Sequence, residues 1–83
     1  MKVSFITFRS VTYAQRGERV LLSGGIRSQL QRTPRWMEEQ GCGYCLRLRE
    51  EDRLEAAALL QRAGVPFRRI YLQGRDGSLE EMP

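Results

Sequence analysis

The hydrophobic and polar positions of this chain change period several times, and each change marks an element. Residues 2–8, "KVSFITF", are rich in β-branched and aromatic side chains and stop at Arg9-Ser10. That composition predicts a buried strand. Thr12 and Gln15, three positions apart, form a capping box, which starts a helix at Thr12. Ala14, Gly17, Val20 and Leu21 then recur at helical spacing and supply its buried stripe. Gly24-Gly25 ends it, because glycine accepts the left-handed conformation of a helix C-terminus.

The stretch "IRSQLQ" (26–31) alternates weakly and predicts an edge-like strand. Thr33-Pro34 stops it, since Pro34 has no N–H to give to a sheet. Residues 34–42 read as a loop or a short helical turn. In "GYCLRLR" (43–49) the alternation is clean: Tyr44, Leu46 and Leu48 face one way, Cys45, Arg47 and Arg49 the other. The following "EEDRLEAAALLQRA" is a second helix, with acidic residues in its first turn and Arg62 in its last, both favourable to the helix dipole. Ala56, Leu59, Leu60 and Ala63 make its apolar stripe, Gly64 its C-cap, and Pro66 lies just beyond. "FRRIYLQ" (67–73) predicts a last strand. Leu46, Leu59, Leu60, Val20 and Ile70 are the expected core.

The predicted order is β-α-β-β-α-β. Two βαβ-like halves of similar length fit an α+β, ferredoxin-like plait: a four-stranded antiparallel sheet with two helices on one face. Residues 1–74 form a single domain, and 75–83 a flexible C-terminal tail. No internal repeat or linker interrupts the pattern. The chain opens on a strand-like run with no charged leader, and no apolar run approaches the roughly 20 residues of a membrane span. The expected location is the cytoplasm, where thiols stay reduced.

The net charge of +4 changes this picture little. The 14 basic residues are arginine apart from Lys2, and they are interleaved with Glu along the chain. Nucleic-acid domains gather their charge on one face. A nucleic-acid surface through Arg27, Arg32, Arg47 and Arg69 would also need aromatic side chains on an open sheet face, and Tyr44 is expected on the core side.

The chemistry concentrates in "GCGYC", residues 41–45, which holds both cysteines. With no histidine in the chain, Cys–His nucleophilic catalysis within one chain is excluded. Two cysteines alone do not close a four-ligand zinc site, although a symmetric dimer would supply four and a soft monovalent metal accepts two. If residues 42–45 were extended, the two cysteines would lie about 10 Å apart on opposite faces. A disulfide needs Cα atoms within about 7 Å, so a bridge requires Gly41 and Gly43 to curl the chain. The pair enters a strand, whereas thioredoxin-type pairs open a helix, whose N-terminus depresses the thiol pKa. Cys42, between two glycines, has little side-chain cover. Cys45 falls within the strand and reads most simply as a small residue on a sheet face. Arg35 and Arg47 are near enough in sequence to stabilise a thiolate; each taken singly is equally a surface arginine.

A set of short motifs runs through the chain in fixed order: "ITF" near the start, Ala14, Gly25-Ile26, "TPR" at 33–35, "CG" followed by "LRL", and "AGVPF…IY". Together they resemble the Se/S carrier-like family, a small bacterial domain, from about residue 3 to 72. The resemblance matches Pro34-Arg35 to the family's Pro-Arg-like loop and Cys42-Gly43 to its Cys-Gly before the third strand. It implies that Cys42 is the functional cysteine. Position 45 is usually a small residue in that family, so Cys45 is an addition and a Cys-x-x-Cys mechanism is not implied. The family also occurs near, or fused to, sulfurtransferase-like partners.

The expected function is a sulfur or selenium carrier, with Cys42 the acceptor thiol, Cys45 a second thiol, and Arg35, Pro34 and Gly43 around it. The expected donor is a cysteine desulfurase-like or sulfurtransferase-like protein. No cofactor or metal set is assigned, and a carrier fits better than a turnover enzyme. The alternative is a ferredoxin-like binding module for a protein partner, small ligand or metal, with incidental cysteines.

Overall fold

The computed structural model describes residues 2–33, 43–74 and 79–81. The elements are β1 (Val3–Phe8), α1 (Val11–Ser23), β2 (Gln29–Arg32), β3 (Tyr44–Arg49), α2 (Arg53–Arg62), β4 (Ile70–Gln73) and β5 (Leu79–Glu81), with one 3-10 turn, Glu50–Asp52, leading into α2. The chain is therefore α+β. All strand pairs are antiparallel, in the order β2-β3-β1-β4-β5. The sheet has five strands where four were expected. The fifth comes from within 75–83, the stretch read from its turn residues and charge as a tail.

Both helices pack on one face of the sheet. Ile6 and Phe8 of β1, Leu46 and Leu48 of β3, Ala14 and Leu21 of α1, and Ala56 and Leu60 of α2 share a single buried cluster. The strand members are spaced by two and aligned across the sheet, since Ile6 pairs with both Leu46 and Ile70. Among the expected core residues, Leu46 and Leu60 are fully buried, while Val20, Leu59 and Ile70 are partly buried and packed against them. Gly17 lets α1 sit close to the sheet: a Cβ there would lie 3.0 Å from Phe8 Cζ.

The same cap ends both helices. After α1, Gly25 is left-handed (φ 84°); its N–H reaches the Leu22 carbonyl, and the Ile26 N–H reaches the Leu21 carbonyl at 2.8 Å. After α2, Gly64 (φ 70°) bonds to the Gln61 carbonyl and the Val65 N–H to the Leu60 carbonyl at 2.9 Å. In each case the apolar residue after the glycine shares the buried cluster with the leucine whose carbonyl it bonds, Ile26 with Leu21 and Val65 with Leu60, which gives the Schellman arrangement. This cap explains why β2 starts at Gln29 and not at Ile26: Ile26 belongs to the helix end.

Two other boundaries differ from expectation. Helix α1 begins two residues early because Ser10, not Thr12, is its N-cap; Ser10 Oγ accepts from the Tyr13 N–H at 3.3 Å. Strand β4 begins at Ile70, not Phe67, because the ladder is interrupted at Thr7. The Arg68 N–H donates to the Thr7 carbonyl at 2.8 Å, and the Thr7 N–H donates to the Arg69 carbonyl at 2.9 Å. Two residues thus stand against one, which is a β-bulge. The Arg69 N–H is taken up by Thr7 Oγ1 at 3.1 Å.

Candidate functional site

Strands β2 and β3 form a hairpin whose mouth is closed by described residues. Arg32 pairs with Tyr44. One step further, the Thr33 N–H donates to the Gly43 carbonyl at 3.0 Å, and both residues are buried. The Arg32 guanidinium lies 6.0 Å from the centre of the Tyr44 ring, a cross-strand cation–π contact. Pro34 follows Thr33 and Cys42 precedes Gly43, so this mouth is where the chain leaves for, and returns from, the candidate loop. Pro34, Arg35 and Cys42 themselves lie outside the described residues. Of the expected site, Gly43 and Cys45 are described.

Cys45 sits one residue inside β3, opposite Thr7 on one side and Gln31 on the other. Its side chain points away from the helices and is fully buried, in a small cluster with Val3, Phe5 and the half-buried Tyr71. The alternation had placed it on this face, and the register supplies its cover. The thiol is free. Burial pushes its pKa above the ordinary value of 9.0, and the neighbouring Thr33 and Gln31 side chains pull it part of the way back. Thr33 Oγ1 is itself buried and makes no well-formed hydrogen bond among the described residues. A buried thiol kept protonated by its surroundings is a poor nucleophile and a poor metal ligand at neutral pH. Among the described residues, no group of three or more His, Cys, Asp or Glu side chains is placed to hold a metal.

The arginines considered for nucleic acid differ in their surroundings. Arg32 is engaged with Tyr44. Arg69 lies 3.2 Å from Glu81 and 3.5 Å from the Tyr71 hydroxyl. Arg27 and Arg47, twenty residues apart in sequence, line one cleft of about 260 Å³ together with Val3, Ser28, Gln29, Leu48 and Arg49. Arg49 is held at 3.1 Å by Asp52 and at 3.5 Å by Glu51. The hydrogen bond to Asp52, and then the charges of Asp52 and Glu51, raise its pKa. Ser28 and Arg49 carried no functional signal in the sequence. Their place in this cleft follows from the β2–β3 register, which no local pattern reveals.

No described helix is long and apolar enough to cross a membrane. Neither the curated proteins nor the solved structures contain a match to the chain. A family model described as "Putative Se/S carrier protein-like" matches residues 4–72. That span runs from β1 through β4 and includes Pro34-Arg35 and Cys42-Gly43. The match covers most of the 83 residues, and the chain belongs to the Se/S carrier-like family.

Proposed function

We propose that this protein carries sulfur or selenium on Cys42. In the first step the Cys42 thiolate attacks the terminal sulfur or selenium of a donor persulfide or selenopersulfide. A bond forms from Cys42 Sγ to that atom, the donor's own S–S or S–Se bond breaks, and the donor leaves as a thiolate. In the second step an acceptor thiolate attacks the carried atom and Cys42 returns to its thiolate. No net electrons are needed in either exchange. A cysteine desulfurase-like protein is the proposed donor, and the reducing cytoplasm the proposed setting.

The observation that carries this reading is the family match across residues 4–72, whose span takes in Cys42. The burial of Cys45 supports assigning the chemistry to one cysteine, because a thiol with no exposure and a raised pKa has neither access nor charge for transfer. The Thr33–Gly43 hydrogen bond brings together the residues that flank 34–42 in sequence. In this proposal Arg35 biases Cys42 toward thiolate, Pro34 stiffens the loop, and Gly41 and Gly43 leave the thiol without neighbouring side chains. β1 to β4 with α1 and α2 constitute the ferredoxin-like unit, supported by the strand order β2-β3-β1-β4, and β5 extends it.

The test is intact-protein mass spectrometry after incubation with a cysteine desulfurase and either cysteine, the sulfur source, or selenocysteine, the selenium source. The wild type should gain one cargo atom, about 32 Da for sulfur or about 79 Da for selenium. Cys42→Ser should abolish the adduct and Cys45→Ser should keep it. An adduct that survives Cys42→Ser would overturn the assignment.

A further inference from the structure

We propose that the cleft between the start of β2 and the end of β3 is a binding site for a dianionic phosphate group, formed by Arg27, Ser28, Arg47 and Arg49. The cleft is an open groove of about 260 Å³, and among the described residues no acidic side chain lines it. Arg47 and Arg49 alternate onto the same sheet face, so their Cα atoms are about 7 Å apart. Gln29 pairs with Arg47, which brings the Arg27-Ser28-Gln29 approach to β2 against them.

The three arginines are not equivalent. Arg49 is anchored by Asp52 and Glu51, which fix its guanidinium and offset part of its charge. Arg27 and Arg47 are exposed and make no ion pair with any described residue. Asp52 sits on the far side of Arg49, in the neighbouring cleft that Arg27 and Arg49 also line, so the repulsion left uncompensated in this cleft is chiefly that of Arg47 with Arg27. An oxyanion seated among them removes that repulsion and accepts their paired N–H donors in the planar geometry that arginine presents. An independent observation points to a ligand. Ser28 Oγ is buried and has no hydrogen-bond partner among the described residues. Buried hydroxyls are ordinarily satisfied; Ser28 lines this cleft and the one beside Glu18 and Arg19, and rotation of its hydroxyl toward this cleft would let it donate to a phosphate oxygen.

Two full cations and one partly offset favour a dianion over a monoanion. That distinguishes a terminal phosphate, as on a phosphomonoester or free phosphate, from the singly charged phosphodiester of a nucleic-acid backbone. The site lies at the opposite end of β3 from Gly43, and its test does not depend on Cys42.

The experiment follows amide chemical shifts of the full chain during titration with inorganic phosphate, with sodium chloride at matched ionic strength as reference. The expected result is saturable shifts at residues 27–29 and 47–49. Arg27→Ala and Arg47→Ala should each weaken binding about tenfold, the loss expected for one charge-assisted hydrogen-bonding group. Arg16→Ala removes one exposed charge outside the cleft and should leave the affinity unchanged. All three replaced side chains are exposed, so each variant should keep the wild-type spectrum elsewhere. Dimethyl phosphate, the diester probe, should bind more weakly than inorganic phosphate. Shifts that merely follow ionic strength, equal weakening by Arg16→Ala, or binding of the diester as tight as that of phosphate would each overturn the proposal.

Discussion

At the scale of single residues, the two cysteines three positions apart are separated by what the sheet does to one of them. Cys45 is locked between Thr7 and Gln31 with no exposed surface. In the native protein it should react with iodoacetamide only as fast as the protein opens, and at full speed in denaturant. A native rate equal to that of an unfolded thiol would contradict the burial. Its titration carries a pH signature. The thiol's folded pKa is raised by burial, so the protonated form is favoured in the folded state. The stability this contributes is fully present below the ordinary value of 9.0 and is lost as pH rises through the folded pKa. Urea midpoints of the wild type should therefore fall on the alkaline side, and Cys45→Ala should flatten that fall. Identical slopes in both proteins would show that another group dominates. The strand's alternation put Cys45 on the sheet's second face; its cover was not legible, because Val3, Phe5 and Tyr71 reach it only through long-range pairing. Cys42, Pro34 and Arg35 were marked out by the family motifs, and the local glycines singled out Cys42 alone.

At the scale of elements, legibility tracks how local the cause is. The two helix ends could be read because the glycines are a local signal, Gly24-Gly25 and Gly64; that Ile26 closes the first cap and does not open β2 could not. The strand β3 could be read because its period is its own. The start of α1 was misplaced because Ser10 and Thr12 are both good caps, and the path of the chain out of β1 chooses between them. The start of β4 was misplaced because the bulge is made by Thr7, more than sixty residues away in sequence. Strand β5 has no β-branched or aromatic residue and exists by pairing to β4. The caps give a clean energetic test. A Cβ at Gly25 or Gly64 would meet no atom within 4 Å, so any cost of Gly→Ala comes from the positive φ alone. Each substitution should destabilise by about 1–2 kcal/mol in urea unfolding. By contrast, Leu60→Ala should cost about 2–5 kcal/mol, because Leu60 is fully buried between both helices and the sheet. Leu54→Ala on the same helix, 65% exposed, should stay within about 0.5 kcal/mol. Equal losses at Leu54 and Leu60 would contradict the buried face of α2.

At the scale of the whole molecule, the question is how much of the fold rests on β5. Among the described residues, every member of the main core lies between Ile6 and Val65, with Phe67 and Ile70 packed against it. Among the described residues, β5 adds three residue pairs on the outer edge of β4 and an ion pair of Arg69 with Glu81. Both partners of that pair are about half exposed (54% and 49%), so it contributes at most about 1 kcal/mol. A chain ending at Gly74 should therefore still unfold cooperatively, with a modestly lowered midpoint. Its sheet would differ in one respect: β4 would become an edge, with unpaired N–H and C=O groups facing outward and Tyr71 and Leu72 beside them. Such an edge is a template for pairing with a second copy. Sedimentation should show the shortened chain associating as its concentration rises, where the full chain does not. Loss of cooperative unfolding would place β5 inside the folding unit. A shortened chain that stays monomeric at every concentration would show that β5 does not guard the sheet.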